Sequence, residues 1–170
     1  MTKLQVAGFL DNSLSNGPGI RAVLFVAGCN HNCIGCHNKA MQDFGYGEEV
    51  PIVHILDRIK NNVPVIRGVT LSGGEPFEQA ENLGKLARFI KNEGLDVWCY
   101  TGYTYEYIID YLDKFKGWRD LLNNIDVLVD GKFEEDKASE NLKYKGSSNQ
   151  RIIDVKASIL SQEVMLFENI

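Results

Sequence analysis

A chain of 170 residues, 44% hydrophobic and 24% charged, is long enough for one sizeable core and has the composition of an ordinary globular protein. Its formal net charge of -5 argues against the basic face of a dedicated nucleic-acid binder, so no nucleic-acid partner is expected. No stretch approaches the roughly 20 apolar residues of a membrane span. Met1-Thr2-Lys3-Leu4-Gln5 lacks the apolar core of a signal peptide, so a cytoplasmic address without membrane contact is expected, where cysteines stay reduced.

In chain order, residues 22–27 (AVLFVA) form a short, continuously apolar run suited to a strand buried on both faces. Residues 51–61 carry Ile52, Ile55, Leu56 and Ile59 at helical spacing, with Pro51 at the start. Residues 65–71 read as a second strand and Ser72-Gly73-Gly74 as the turn leaving it. Residues 76–92 read as a helix stopped by Gly94, and 96–101 as a third strand. Thr104 caps a helix presenting Tyr107, Ile108, Tyr111, Leu112 and Phe115. Residues 125–130 and 151–155 give a fourth and fifth strand, and 163–167 a late edge strand.

This alternation implies parallel βαβ units, with too few of them to close an eightfold barrel of about 250 residues. The expectation is one domain over residues 1–170, of α/β class: a partial, open (β/α) barrel with a mostly parallel sheet. Its chemistry should gather where strands end, at the carboxyl edge.

Of the 4 cysteines, three sit directly after the first strand in Cys29-Asn30-His31-Asn32-Cys33-Ile34-Gly35-Cys36, a C-x3-C-x2-C spacing. In a reducing compartment such a group reads as metal or cofactor ligation. Three thiolates on a [4Fe-4S] cluster leave one iron open, as a catalytic metal does. Zinc completed by His31 or His37 is the alternative, although the second ligand pair usual for structural zinc is lacking.

The loop resembles the signature of the radical S-adenosylmethionine superfamily. That resemblance implies cluster ligands at Cys29, Cys33 and Cys36, S-adenosylmethionine chelating the open iron, and reductive cleavage to a 5′-deoxyadenosyl radical. Gly35 departs from the bulky residue common at that position and is similar to the small activases of anaerobic ribonucleotide reductases, whose backbone around Gly35, Cys36 and His37 would then contact the adenine. Gly73-Gly74-Glu75 resembles the segment that binds the methionine amino group; its other reading is a plain βα turn. On this resemblance a side chain at Gly74 should intrude on the cofactor and leave the fold alone.

Further segments extend the likeness from Gly17 to Asp154. Gly17-Pro18-Gly19-Ile20-Arg21 resembles the opening of glycyl-radical activases, with Asn16 in place of an aspartate and Arg21 suited to a carboxylate. Thr101 and Asp130, at two strand ends, are candidates to hold the ribose, the methionine carboxylate or a cation. Lys145-Gly146-Ser147-Ser148-Asn149-Gln150-Arg151 resembles a loop of the reductase activases, which makes Asn149 and Arg151 candidates for cofactor or partner contacts. Cys99 reads as a small buried hydrophobe and His54 as structural.

The resemblance implies a protein substrate, a glycine Cα–H of the anaerobic ribonucleotide reductase large subunit, with reduced flavodoxin or a similar electron donor. Alternatives are an activase of the pyruvate formate-lyase type, a small radical enzyme of deazapurine synthesis, and a zinc-binding interaction module.

Overall fold

Four strands with continuously apolar stretches make the centre of the fold. They are β2 (Arg21–Val26), β4 (Gly68–Gly73), β5 (Asp96–Tyr100) and β6 (Val127–Asp130), and they pair in parallel in that order. A parallel sheet is covered on both faces, so its strands gain nothing from polar alternation. Ala22, Val23, Leu24, Val69, Leu71, Val97, Leu128 and Val129 are all shielded from solvent.

The computed structural model describes residues 2–168. Two strands precede this centre in space on one side, β1 (Lys3–Ser13) and β3 (Glu48–Pro51), and β7 (Arg151–Asp154) closes the other. The sheet order is β3-β1-β2-β4-β5-β6-β7, with antiparallel pairing at β3–β1, β1–β2 and β6–β7. Among the described residues β3 and β7 remain the two edges, so the sheet is open.

The helices α1 (Ile52–Lys60), α2 (Ala80–Asn92), α3 (Tyr105–Asp110), α4 (Trp118–Asn123) and α5 (Val155–Ser161) supply the covering faces. In α2, Leu83, Leu86, Ala87 and Ile90 fall on the buried stripe. The expected helix from residue 76 is broken: Pro76–Gln79 forms a tight 3-10 turn before α2. Gln79 leaves helical geometry, and its amide donates to the carbonyls of Gln5 and Ala27, fastening β1 to the end of β2.

Four further differences have local causes. β1 was not expected because Gly8 and a polar end interrupt its pattern and Leu10 faces solvent, yet its backbone completes the ladder beside β2. β3, with two glutamates and a proline, carries no apolar signal and is recruited by pairing with β1. The helix capped by Thr104 stops at Asp110, and α4 starts after Gly117, whose left-handed backbone lies against Glu81 of α2. Residues 163–167 form no strand: a single bridge joins Leu166 to Ile153, and Val155 opens α5, capped by Asp154 through the Ala157 N–H at 3.0 Å.

Arg21 staples three strands. Fully buried, it donates to the Thr70 hydroxyl at 2.8 Å, to the Val69 carbonyl at 3.1 Å and to the Asp96 carboxylate. The carboxylate partner foreseen for it is thus internal. Arg21→Ala should lower unfolding free energy by about 3 kcal/mol, because it empties a fully buried site and leaves the Thr70 hydroxyl and the Val69 carbonyl without their donor. Lys60→Ala, which removes an exposed pair with Glu93, should cost under about 0.5 kcal/mol. Urea titration of both variants checks the contrast.

Candidate metal centre and cofactor cavity

Beyond β2 the chain runs into the cysteine loop, whose base is fixed by backbone bonds. Gly28 N–H donates to the Met41 carbonyl at 2.8 Å and Cys29 N–H to that of Gln42 at 3.0 Å. Gly28 has φ +99°, and a side chain there would fall on the Phe44 ring, so glycine is required at the turn. Cys29, Cys33 and Cys36 are free thiols and partly exposed, while Cys99 is buried in β5.

Burial pushes the Cys29 thiol up to about 11, opposed by the His31 backbone N–H that donates to its sulfur at 3.5 Å; Glu75 and the other two thiols add to the rise. Burial raises Cys33 as well. Unligated, Cys29 and Cys33 therefore resist ionisation, and a bound cation is what makes their thiolates favourable. Among the described residues no three His, Cys, Asp or Glu side chains converge on a single-ion position. The thiols instead share one wall of a cavity of about 750 Å³, a volume in the range of small-molecule sites.

Cys36, His37, Gly73, Gly74 and Thr101 line that cavity with Cys29 and Cys33. Gly35 does not: its φ is +75°, and a Cβ there would meet the Glu135 carboxyl at 3.0 Å. A bulky residue there would have to displace the exposed Glu135 side chain. His37 packs on Phe133 with ring centroids 5.1 Å apart, and both border the cavity.

Gly74 needs to be glycine for the fold itself. A Cβ would lie 2.6 Å from the Gly28 carbonyl oxygen and 2.7 Å from that of Met41, so a side chain would push apart the base of the cysteine loop. The expectation that a side chain there would disturb only the cofactor is corrected accordingly.

The remaining polar candidates have internal partners. Glu75 is fully buried; its carboxylate accepts from Phe77 N–H at 3.0 Å, Gly102 N–H at 2.8 Å, the Thr101 hydroxyl at 2.9 Å and His31 Nε2–H at 2.6 Å. The Thr101 hydroxyl also accepts from Tyr103 N–H, so both of its roles are engaged within the chain. Asp130 is buried against Tyr105 N–H and the Arg151 guanidinium, which also grips Glu106. Glu75, Asp130 and Arg151 are therefore struts between strand ends rather than walls of the cavity. Asn149 also lies outside the lining. Its amide donates to the Lys132 carbonyl at 2.8 Å, and its Oδ1 is buried without a partner.

The sequence pointed to only part of the cover, the loop 145–151, and not to residues 138–144. The loop after β6 brings Ser139, Leu142, Tyr144 and Gly146 to the cavity, and Tyr100 anchors it by donating to the Tyr144 carbonyl at 2.6 Å. Asn16, from the segment before β2, also reaches the lining. Polar loop composition signals neither contact.

A family described as a 4Fe-4S single cluster domain matches residues 15–153, which span the cysteine loop and every central strand. At 40% identity the chain aligns over 153 residues, 85% of its length, with 93% of a protein of Pasteurella multocida. A protein of Escherichia coli K12 is 39% identical over 147 residues, 79% of this chain and 88% of its own. One from Enterobacteria phage T4 is 33% identical over 142 residues, 81% and 85% of the two chains. All three are called anaerobic ribonucleoside-triphosphate reductase-activating protein, and the chain belongs to that family.

The fold is similar to that of QueE from Escherichia coli, with a TM-score of 0.52 at 15% identity over 61% of this chain and 55% of that one. Among the described residues no helix is long and apolar enough to cross a membrane.

Alkylation separates the four thiols. Iodoacetamide on the folded, metal-free protein at pH 8 should label the loop cysteines and spare Cys99, whose ionisation burial pushes far up. Because the Cys29 thiol is raised to about 11, its labelling should accelerate as pH climbs toward that value. Peptide mass spectrometry reads the order, and urea should release Cys99.

Proposed function

We propose that the chain activates an anaerobic ribonucleotide reductase by placing a glycyl radical on it. The observation that carries this reading is the convergence of three free thiols on the cavity that also holds Gly73 and Gly74. The names of relatives at about 40% identity supply the partner. Gly35 further favours the ribonucleotide reductase type over the pyruvate formate-lyase type.

The donor set suits the group. Cys29, Cys33 and Cys36 would hold a [4Fe-4S] cluster with one iron left open. When bound, such a cluster would supply the electron for reductive cleavage of S-adenosylmethionine, the chemistry needed to take a hydrogen atom from a reductase glycine.

The protein's own part is placement. The strand end at Gly73 and Gly74 offers backbone at the cavity wall, with the Gly73 carbonyl already turned to the Asn38 amide at 3.2 Å. His37 and Phe133 offer ring faces for a flat base. Asn149, whose Nδ2 lies near Gly131 of the lining, keeps a buried acceptor without a partner at Oδ1. Ile34, between Cys33 and Gly35, is 80% exposed on the cysteine loop and offers an apolar contact for an incoming chain. Reduced flavodoxin or a similar donor in the cytoplasm fits the same reading.

Activity is tested by anaerobic incubation with a reductase, S-adenosylmethionine and a reductant, followed by electron paramagnetic resonance. A glycyl radical should form with wild type and with Cys99→Ala, and with none of Cys29→Ala, Cys33→Ala and Cys36→Ala. Deuterium on the target glycine should appear in 5′-deoxyadenosine. Deuterium arriving instead from a small molecule, with no reductase present, would sink the reading.

A further inference from the structure

The cysteine loop has little regular structure of its own between Gly28 and Asn38, with one internal backbone bond, Cys36 N–H to the Cys33 carbonyl at 3.3 Å. A loop so thinly tied samples many arrangements unless side chains fix it. Asn38 ties its end to the Gly73 carbonyl, and His31 is the side chain that seats the stretch between Cys29 and Cys33. Only 8% of the His31 side chain is exposed, and its Nε2–H donates to Glu75 Oε1 at 2.6 Å. Its ring meets the edge of Tyr103, centroids 4.5 Å apart at 75°. A Cβ at Gly102 would strike the ring, so the floor beneath it must be glycine.

The seat is built from several elements. Glu75 follows β4, Gly102 and Tyr103 follow β5, and Tyr103 is held in turn by donating to Glu78 at 2.6 Å. Every other partner of the Glu75 carboxylate is a donor, and an ionised carboxylate only accepts, so the proton of this contact sits on His31 Nε2. The same residue's backbone N–H points at Cys29 Sγ.

We propose that His31 is a positioning residue: a peg seated on Glu75, Gly102 and Tyr103 that holds the cysteine loop across the carboxyl ends of β4 and β5. It is neither a zinc ligand nor a cluster ligand, and Glu75 serves the cofactor through it rather than by contact. The inference rests on the reading that the loop carries an iron–sulfur cluster. A loop held in one arrangement presents its three thiols without paying ordering entropy at the moment of metal binding.

The test compares wild type, Glu75→Gln, His31→Phe, His31→Gln and the Glu75→Gln/His31→Phe double variant. Two rates are read: iron loss to a chelator from anaerobically reconstituted protein, and reaction of the metal-free thiols with a chromogenic disulfide. His31→Phe keeps the ring but loses the donor, and both rates should rise about tenfold, the scale of one lost hydrogen bond to a charged group. His31→Gln still donates and should recover most of the difference. The double variant should be no faster than the worse single one, because both act on the same contact, one by removing the donor and the other by removing the acceptor's charge.

Wild-type rates in His31→Phe would overturn the peg, as would effects that multiply in the double variant. So would loss of the cluster in His31→Phe with unchanged thiol reactivity, which would make His31 a ligand. If Glu75→Gln does not fold by circular dichroism, the His31 pair decides alone. A wild-type protein that takes up no iron would remove the activase reading, while the metal-free thiol rates still judge the peg.

Discussion

A carboxylate taken out of water must be given donors or it will not stay charged, and Glu75 is given four. Those donors come from the turn after β4, the end of β5 and the cysteine loop, where the backbone itself adds a bond from the Glu75 N–H to the Gly28 carbonyl. Satisfying one buried charge therefore brings the carboxyl ends of two strands and the loop into a single arrangement. The cavity follows in part from this, since these three segments supply one portion of its lining and the loop after β6 covers it. Its neighbour, the Asp130–Arg151–Glu106 network, does the same for β6, β7 and α3.

The Glu106 side of that network is solvent-facing, and the Arg151 hydrogen bond holds the Glu106 carboxyl below its usual range. A depressed carboxyl contributes stability above its unfolded value and loses it as pH falls through the folded one. Exposure and salt keep the contribution small. Buried Asp130 is the more consequential partner, because no water can replace the guanidinium there.

The central strands were legible because burial on both faces writes itself as an unbroken apolar run, and residues 22–27 and 125–130 matched β2 and β6 closely. The cysteine triad was equally legible, since its spacing is local. β1 and β3 were not, because their pairing is decided by a neighbour rather than by their own pattern. The same distinction runs through the polar candidates. Asp130, Arg151, Glu75 and Thr101 have the chemistry of ligand contacts, but what they touch depends on residues 21 to 45 positions away, as in the Arg151 bonds to Asp130 and Glu106. His31 shows the converse: next to cysteines it reads as a ligand, and only the folded chain reveals Glu75 beneath it.

The open sheet has a consequence for how this chain lives among copies of itself. An unpaired strand edge is a template for aggregation. Here β3 is four residues long, exposes Glu48 and Glu49 and ends in Pro51, which has no N–H to offer a newcomer. At the far side the backbone of Met165 and Phe167 already occupies Asp154 and Ile152 of β7. Neither border offers a long, flat row of free amides and carbonyls. The chain can thus hold a reactive, open-faced cavity at high local concentration without zipping edge to edge.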